Sequence, residues 1–341
     1  MADSLRSAAF GDDLHWPLRS VNPTVVAFGG GHGLYATLRA LRHVTKALTA
    51  VVTVADDGGS SGRLRQEFDL LPPGDLRMAC AALCDDTDWG LTWHDILQHR
   101  FCSTGDMNGH CLGNLLIAGL WQILEDPVAG LDWLTKLLNV QGRVLPVSSV
   151  PMQISAEVEV RGQVTTVCGQ SKLAKAPGKV QTLHLEPSQA PITPQVLEAL
   201  QAADWVVLGP GSWYTSILPH ILIDELREAL SCSRAQKILV LNLSRQRGET
   251  EELSMPDHLR VLRKYAPELD FSVVIGDPGA VGDIDDLQRA AADMNAGVML
   301  RQLSIGDGTS RHDPLRLAAA FRDAMSGNWG DLAPIQAVDN H

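Results

Sequence analysis

The side chains and backbone groups best suited to chemistry gather in short glycine-rich turns. The first is Gly29-Gly30-Gly31-His32-Gly33, and the second is Asp56-Asp57-Gly58-Gly59-Ser60-Ser61-Gly62. Glycine leaves backbone N–H groups bare and lets a ligand approach closely, which suits phosphate at the first turn. The second adds adjacent carboxylates, Asp56 and Asp57, which suit a ribose, a sugar hydroxyl or a hydrated Mg²⁺. Arg63 follows directly. Its guanidinium either reaches a diphosphate or belongs to a solvated first helical turn. A third turn holds Gly209, Gly211, Ser212, Tyr214, Thr215 and Ser216, whose amides and hydroxyls form a second anion cradle.

These turns need elements to aim them. An apolar run over 25–28 precedes the first turn, and Leu34, Leu38 and Leu41 follow at helical spacing. That order reads as strand, turn, helix. A second apolar run, 50–55, ends in the aspartate turn, so parallel strands joined by a helix set both turns at one carboxyl edge, where open α/β sheets bind ligands. The run 205–208 leads into the third turn in the same way. The dinucleotide fingerprint wants a third glycine where Leu34 stands, which argues against an NAD-dependent oxidoreductase. The expected fold is α/β, a Rossmann-like doubly wound, mostly parallel sheet.

Further along, Asn114 in Asn108-Gly109-His110-Cys111-Leu112-Gly113-Asn114 is either a base or sugar partner or the N-cap of a helix over 115–124. Asp75 caps a helix beginning near Leu76. Residues 153–160 and 163–167 alternate around Arg161-Gly162 as a hairpin, which marks 144–186 as a small β-rich insertion. There Lys175 and Lys179 either close over a phosphate or guard a sheet edge. A strand over 237–242 ends in Asn242, with Arg245, Arg247 and Glu249 beyond it, and 271–275 is another strand. Arg311 precedes a helix over 314–325 and brings one more cation toward the carboxyl edge, while Asp313 is placed to cap that helix. Residues 1–22 and 326–341 read as loose ends around one domain, 23–325.

The formal net charge of −12, with no offsetting basic stripe, argues against a nucleic-acid binder. No run is long enough for a membrane span, and 1–22 lacks the apolar core of a signal peptide, so a cytoplasmic location is expected. The six cysteines show no CxxC pair and read as reduced thiols without structural zinc.

Six motifs in fixed order, GGGHGL, TVADDGGSSGRLR, NGHCLGN, LGPGSWYTSILPH, NLSRQRGET and RHDPLRLA, resemble the bacterial gluconeogenesis factor family, relatives of 2-phospho-L-lactate transferase. The resemblance spans about residues 23–325. It implies a UDP-sugar ligand, UDP-N-acetylglucosamine or UDP-glucose, in a binding protein needed for cell shape and wall growth on gluconeogenic carbon. Carried over, Gly29, Gly30, Gly31, His32 and Gly33 would hold phosphate, and Asp56 and Asp57 would sit beside ribose or metal. Asn114 and the third turn would complete the pocket, and Arg311 would contact the UDP-sugar. Regulators of cell-wall synthesis are the implied partners, and a homodimer is expected. His32 stands where relatives more often have Thr or Ser, so regulation by phosphorylation there is not implied. The competing reading is a Mg²⁺-dependent transferase using Asp56 or Asp57 as metal ligand or base.

Overall fold

A computed structural model describes residues 22–173, 176, 178–246, 250 and 252–329. Its centre is a seven-stranded sheet of β1 (Val25–Gly29), β2 (Leu48–Val52), β3 (Arg143–Pro146), β7 (Trp205–Leu208), β8 (Gln236–Val240), β9 (Val273–Gly276) and β10 (Gly297–Leu300). The strand order is β10-β9-β8-β7-β1-β2-β3, and every pairing in it is parallel. Parallel strands are covered on both faces, and all residues of β1 and β7 are accordingly buried. A smaller antiparallel sheet comprises β4 (Gln153–Val160), β5 (Gln163–Cys168) and β6 (Lys179–Glu186), in the order β5-β4-β6. The architecture is therefore the Rossmann-like α/β class with a small β-rich sheet.

The chain runs outward from β1 through β2 to β3, returns to β7 on the other flank of β1, and continues to β10. The order reverses between β1 and β7, and that switch point opens a crevice at the strands' carboxyl ends. After β1, the helix Gly31–Leu41 buries Leu34, Leu38 and Leu41, the face its spacing predicts.

Several elements differ from expectation. Arg143–Pro146 is the outer strand of the main sheet, paired with β2, so the small sheet begins only at Gln153. Five helices lie between β2 and β3, covering Gly59–Phe68, Pro73–Leu83, Asp88–Gln98, Leu112–Leu124 and Pro127–Leu138. The helix Ile284–Ala292 leads to β10, which extends the sheet where no element was foreseen, since Val298-Met299-Leu300 is an apolar run of only three residues after a glycine. The third turn leads into a single π-turn, Trp213–Ile217, before the short helix Leu218–Leu222. The hairpin turn holds Arg161 at φ 52° and Gly162 at φ 81°, the paired positive values of a tight two-residue connection. Trp329 is packed, its indole N–H donating to the Ala324 carbonyl at 3.1 Å, so the loose C-terminal end does not begin at 326. Lys175, Arg247 and Glu249, and the expected loose ends 1–21 and 330–341, lie outside the described residues.

Candidate functional site

The crevice at the switch point is a cleft of about 820 Å³. Four turns line it: Gly30, Gly31, His32 and Gly33 after β1; Gly211, Ser212, Thr215 and Ser216 after β7; Asn242 and Gln246 after β8; and Arg311 and His312 after β10. From the flanking helices, Tyr35, Arg39, Asp75 and Met78 complete the wall. Gly29 ends β1 and Gly209 follows β7 just behind this surface, and Tyr214 is buried.

The first and third turns are fitted to each other as much as to any ligand. A Cβ on Gly33 would lie 2.1 Å from the Pro210 carbonyl oxygen, and one on Gly30 would lie 2.6 Å from an Asp75 carboxylate oxygen. Gly31 has φ 54°, the left-handed conformation that favours glycine. The helix Gly31–Leu41 has no side-chain N-cap, so its first turn presents amides and the positive end of the helix dipole to the cleft. One amide is already in use, because Asp75 accepts a hydrogen bond from the Gly31 N–H.

The third turn works differently from a bare amide cradle. Gly211 N–H donates to Asn242 Oδ1 at 2.9 Å, and Asn242 Nδ2 donates back to the Gly211 carbonyl at 2.8 Å. Trp213 N–H donates to Gln246 Oε1 at 3.3 Å, and Thr215 N–H to Ser212 Oγ at 3.1 Å. Its amides are therefore committed within the protein. What it offers a ligand are the hydroxyl-bearing side chains of Ser212, Thr215 and Ser216, held in place by the neighbouring turn.

Two cations reach the cleft. Arg39 lies 3.6 Å from Asp86, and Arg311 pairs with Asp307 at 3.0 Å, both at the surface. Exposed ion pairs are weak, so an incoming phosphate can recruit either guanidinium. Asp75 supplies the opposing charge. Its burial, and next the Asp56 carboxylate, push its pKa up to about 7 against the pull of the Gly31 N–H and Arg77. His312 is held neutral by burial, which pushes its pKa down to about 4.

The other predicted residues do not line the cleft. Asp57 accepts bonds from Ser171 N–H at 2.9 Å and Ser171 Oγ at 2.7 Å, tying the short helix Gln170–Leu173 to the turn after β2. Asp56 accepts from Gly58 N–H at 3.0 Å, and burial above all raises its pKa. Arg63 donates to the carbonyls of Asp106 and Asn108, at 2.8 and 2.9 Å. Asn114 is buried inside a helix that starts at Leu112, so it is not the N-cap. It accepts from Arg77 Nε at 2.9 Å and donates to Ser60 Oγ at 3.1 Å. Among the described residues no group of three or more His, Cys, Asp or Glu could hold a metal ion, and the cysteines are unpaired.

Sequence reasoning missed Asp75, Arg39 and Tyr35. Asp75 looked like a cap because it follows Pro72-Pro73-Gly74, yet the helix starts at Pro73, which carries no N–H to satisfy. Tyr35 and Arg39 sit four residues apart on the helix behind the first turn, a spacing that places both on one face and was open to reading.

Fold and cleft together define an open α/β protein with its ligand crevice at the β1/β7 switch point. The chain belongs to the family described as 2-phospho-L-lactate transferase CofD, which matches residues 25–300. A putative gluconeogenesis factor of Mycobacterium leprae is 47% identical over 323 residues, covering 93% of this chain and 90% of the relative. The gluconeogenesis factor of Bacillus subtilis is 40% identical over 243 residues, covering 71% and 75% respectively. A crystal structure of a UPF0052-family protein from Bacillus halodurans superposes with a TM-score of 0.79 at 33% identity, covering 88% of this chain and 99% of that one. No helix among the described residues is long and apolar enough to cross a membrane.

Proposed function

We propose that the cleft binds a UDP-linked sugar, UDP-N-acetylglucosamine or UDP-glucose, and that the occupied protein acts as a regulatory factor for cell-wall synthesis and cell shape during growth on gluconeogenic carbon. One observation carries the ligand class: the uncapped end of the helix Gly31–Leu41, two guanidiniums and three hydroxyl side chains face one cleft of about 820 Å³. A diphosphate suits the amides and arginines, a sugar suits the hydroxyls, and the volume is that of a ligand pocket. The names of the relatives, gluconeogenesis factor, support the metabolic setting.

A specific observation also favours the transferase reading. Asp57 is occupied by Ser171, so Asp56 and Asp57 do not fit a shared metal site. Asp75 at the cleft and Asp56 behind it both have raised pKa values, burial being the first cause of each, and the Asp56 charge adds to the rise at Asp75. A hydrated Mg²⁺ would relieve that repulsion, since it is commonly held by one or two carboxylates together with ligand phosphates. When bound, such an ion would neutralise phosphate oxygens, while the chain's own arginines and hydroxyls would orient the donor.

Calorimetric titration with UDP-N-acetylglucosamine, UDP-glucose, GDP and NAD, with and without Mg²⁺, tests both readings. Tight UDP-sugar binding without turnover, weakened roughly tenfold or more in Arg311→Ala, is the expected result. Preference for GDP, or metal-dependent consumption of a nucleotide donor, would overturn the regulator in favour of the transferase.

A further inference from the structure

Of the two guanidiniums bordering the cleft, Arg39 is the one without a fixed acceptor. Among the described residues it makes no hydrogen bond, and its ion pair with Asp86, at 3.6 Å, is too long to be one. Asp86 is already served by Arg42, which donates to it and to the Cys84 carbonyl. The Arg39 side chain is nevertheless only 28% exposed. A guanidinium carries five N–H donors and cannot shed its charge, so a largely shielded one with no acceptor gains from any anion that reaches it.

Position decides which anion that is. Arg39 and Gly31 lie on one helix, Gly31–Leu41, and at the helical rise their separation along its axis is about 12 Å. The guanidinium does not turn back toward the first-turn amides. It faces Asp86, the carboxylate that Arg42 holds from the C-cap of the same helix. A phosphate seated on the amides of Gly31, His32 and Gly33 is therefore out of its reach. The walls between the two points are Tyr35, Ala36 and Met78. Ala36 and Met78 are apolar, and the Tyr35 hydroxyl is engaged with His94 Nε2 at 2.9 Å, so this stretch supplies no competing anion.

We infer that Arg39 marks a second anion subsite at the far end of the cleft, one that takes a carboxylate or phosphate group distinct from the nucleotide's diphosphate. That group is carried either on the sugar or by a separate small acid bound beside it. In both cases the fork of Arg39 exchanges its long contact with Asp86 for two short charge-assisted bonds. This rests on the reading that a nucleotide sugar occupies the cleft, and it adds that the protein also senses an acid there.

Calorimetry of wild type and Arg39→Gln with UDP-glucose and UDP-glucuronic acid is the test, followed by inorganic phosphate titrated into protein saturated with UDP-glucose. Wild type is expected to show a gain with one of the acids: UDP-glucuronic acid bound roughly tenfold more tightly than UDP-glucose, or phosphate bound beside UDP-glucose. The arm that responds identifies the source of the anion. Arg39→Gln should lose the gain and keep its UDP-glucose affinity within about twofold. Should Arg39→Gln not fold, as read by circular dichroism, Arg39→Lys takes its place and the gain should shrink severalfold, because lysine lacks the bidentate fork. No gain with either acid in wild type, an undiminished gain in the variant, or a UDP-glucose affinity that falls along with the gain would overturn the subsite. If no UDP compound binds wild type, the nucleotide-sugar reading itself fails, and phosphate titrated into the free proteins, wild type against Arg39→Gln, decides the subsite by itself: binding lost in the variant upholds it, and equal or absent binding overturns it.

Discussion

At the end of β1, Gly31, His32 and Gly33 face the cleft, whereas at the end of β2 the aspartate turn is used up inside the protein. Gly58 N–H goes to Asp56, the Asp57 carboxylate goes to Ser171, and Ser60 Oγ accepts from Asn114 and from the Cys111 N–H. Both turns are glycine-rich and both end a buried parallel strand. They differ in neighbours. β1 faces β7 across the point where strand order reverses, so its turn borders open space, while β2 lies between β1 and β3 and its turn is roofed by helices and the small sheet. Glycine content marks close approach in each case, and the topology decides whether the approaching group is a ligand or the chain itself.

The strongest way to break this contrast is to fill each turn with a methyl group. In Gly33→Ala the new Cβ meets the Pro210 carbonyl at 2.1 Å, and backbone on both sides must move. Urea denaturation is expected to show a loss of about 3 kcal/mol or more. Gly59→Ala meets nothing within 4 Å and carries only the strain of φ 50°, so its cost should be about 1 kcal/mol. Equal losses would mean that the first turn is not packed against the third as described.

The arginines give the next largest effect. Arg311→Ala removes a guanidinium that an exposed carboxylate holds only loosely, and calorimetry should show nucleotide binding weakened roughly tenfold or more. Arg63→Ala should change affinity by less than about twofold, because Arg63 is engaged with the 101–110 loop and does not border the cleft. A matching loss in Arg63→Ala would place the ligand over the aspartate turn instead.

How far the sequence could reveal this division follows from particular residues. The turn after β1 was legible because strand, glycines and helix appear in unbroken order, and the pattern after β7 repeats it. The fates of Asp57 and Asn114 were not, since their partners Ser171 and Arg77 are 114 and 37 residues away and no local spacing announces them. Asp75 was hidden by the two prolines before it, which read as a break in the chain. β10 was hidden by its brevity, and with it the reason that Arg311, some ten residues later, arrives at the cleft.

Titration of Asp75 probes the cleft side of the contrast. The folded pKa of Asp75, about 7, lies above its ordinary value of 3.8, so the native state binds the extra proton. The stability it contributes is fully present below the unfolded pKa and is lost as pH rises through about 7. Wild type should therefore lose, between pH 5 and pH 8, on the order of 1 kcal/mol more than Asp75→Asn does, a figure discounted for the solvent that reaches the cleft. Denaturant midpoints in a series of buffers measure it. A parallel pH profile for the two proteins would mean that Asp75 is paired or solvated in the folded state.

The smallest effect belongs to Asp57. Its carboxylate accepts two hydrogen bonds from one residue, Ser171, and joins the small sheet's Gln170–Leu173 helix to the body of the protein. Asp57→Ala is expected to cost about 1 kcal/mol, since the Ser171 groups it strands can reach water. The loss should be local: faster amide exchange in 169–173, with exchange in β1 and β7 unaltered. Nucleotide affinity should hold as well, because Asp57 is bonded to Ser171 and does not border the cleft. Were affinity to fall in step with exchange at 169–173, the small sheet would have to act as a wall of the cleft, and Gln170, which already borders it, would be the residue transmitting the change.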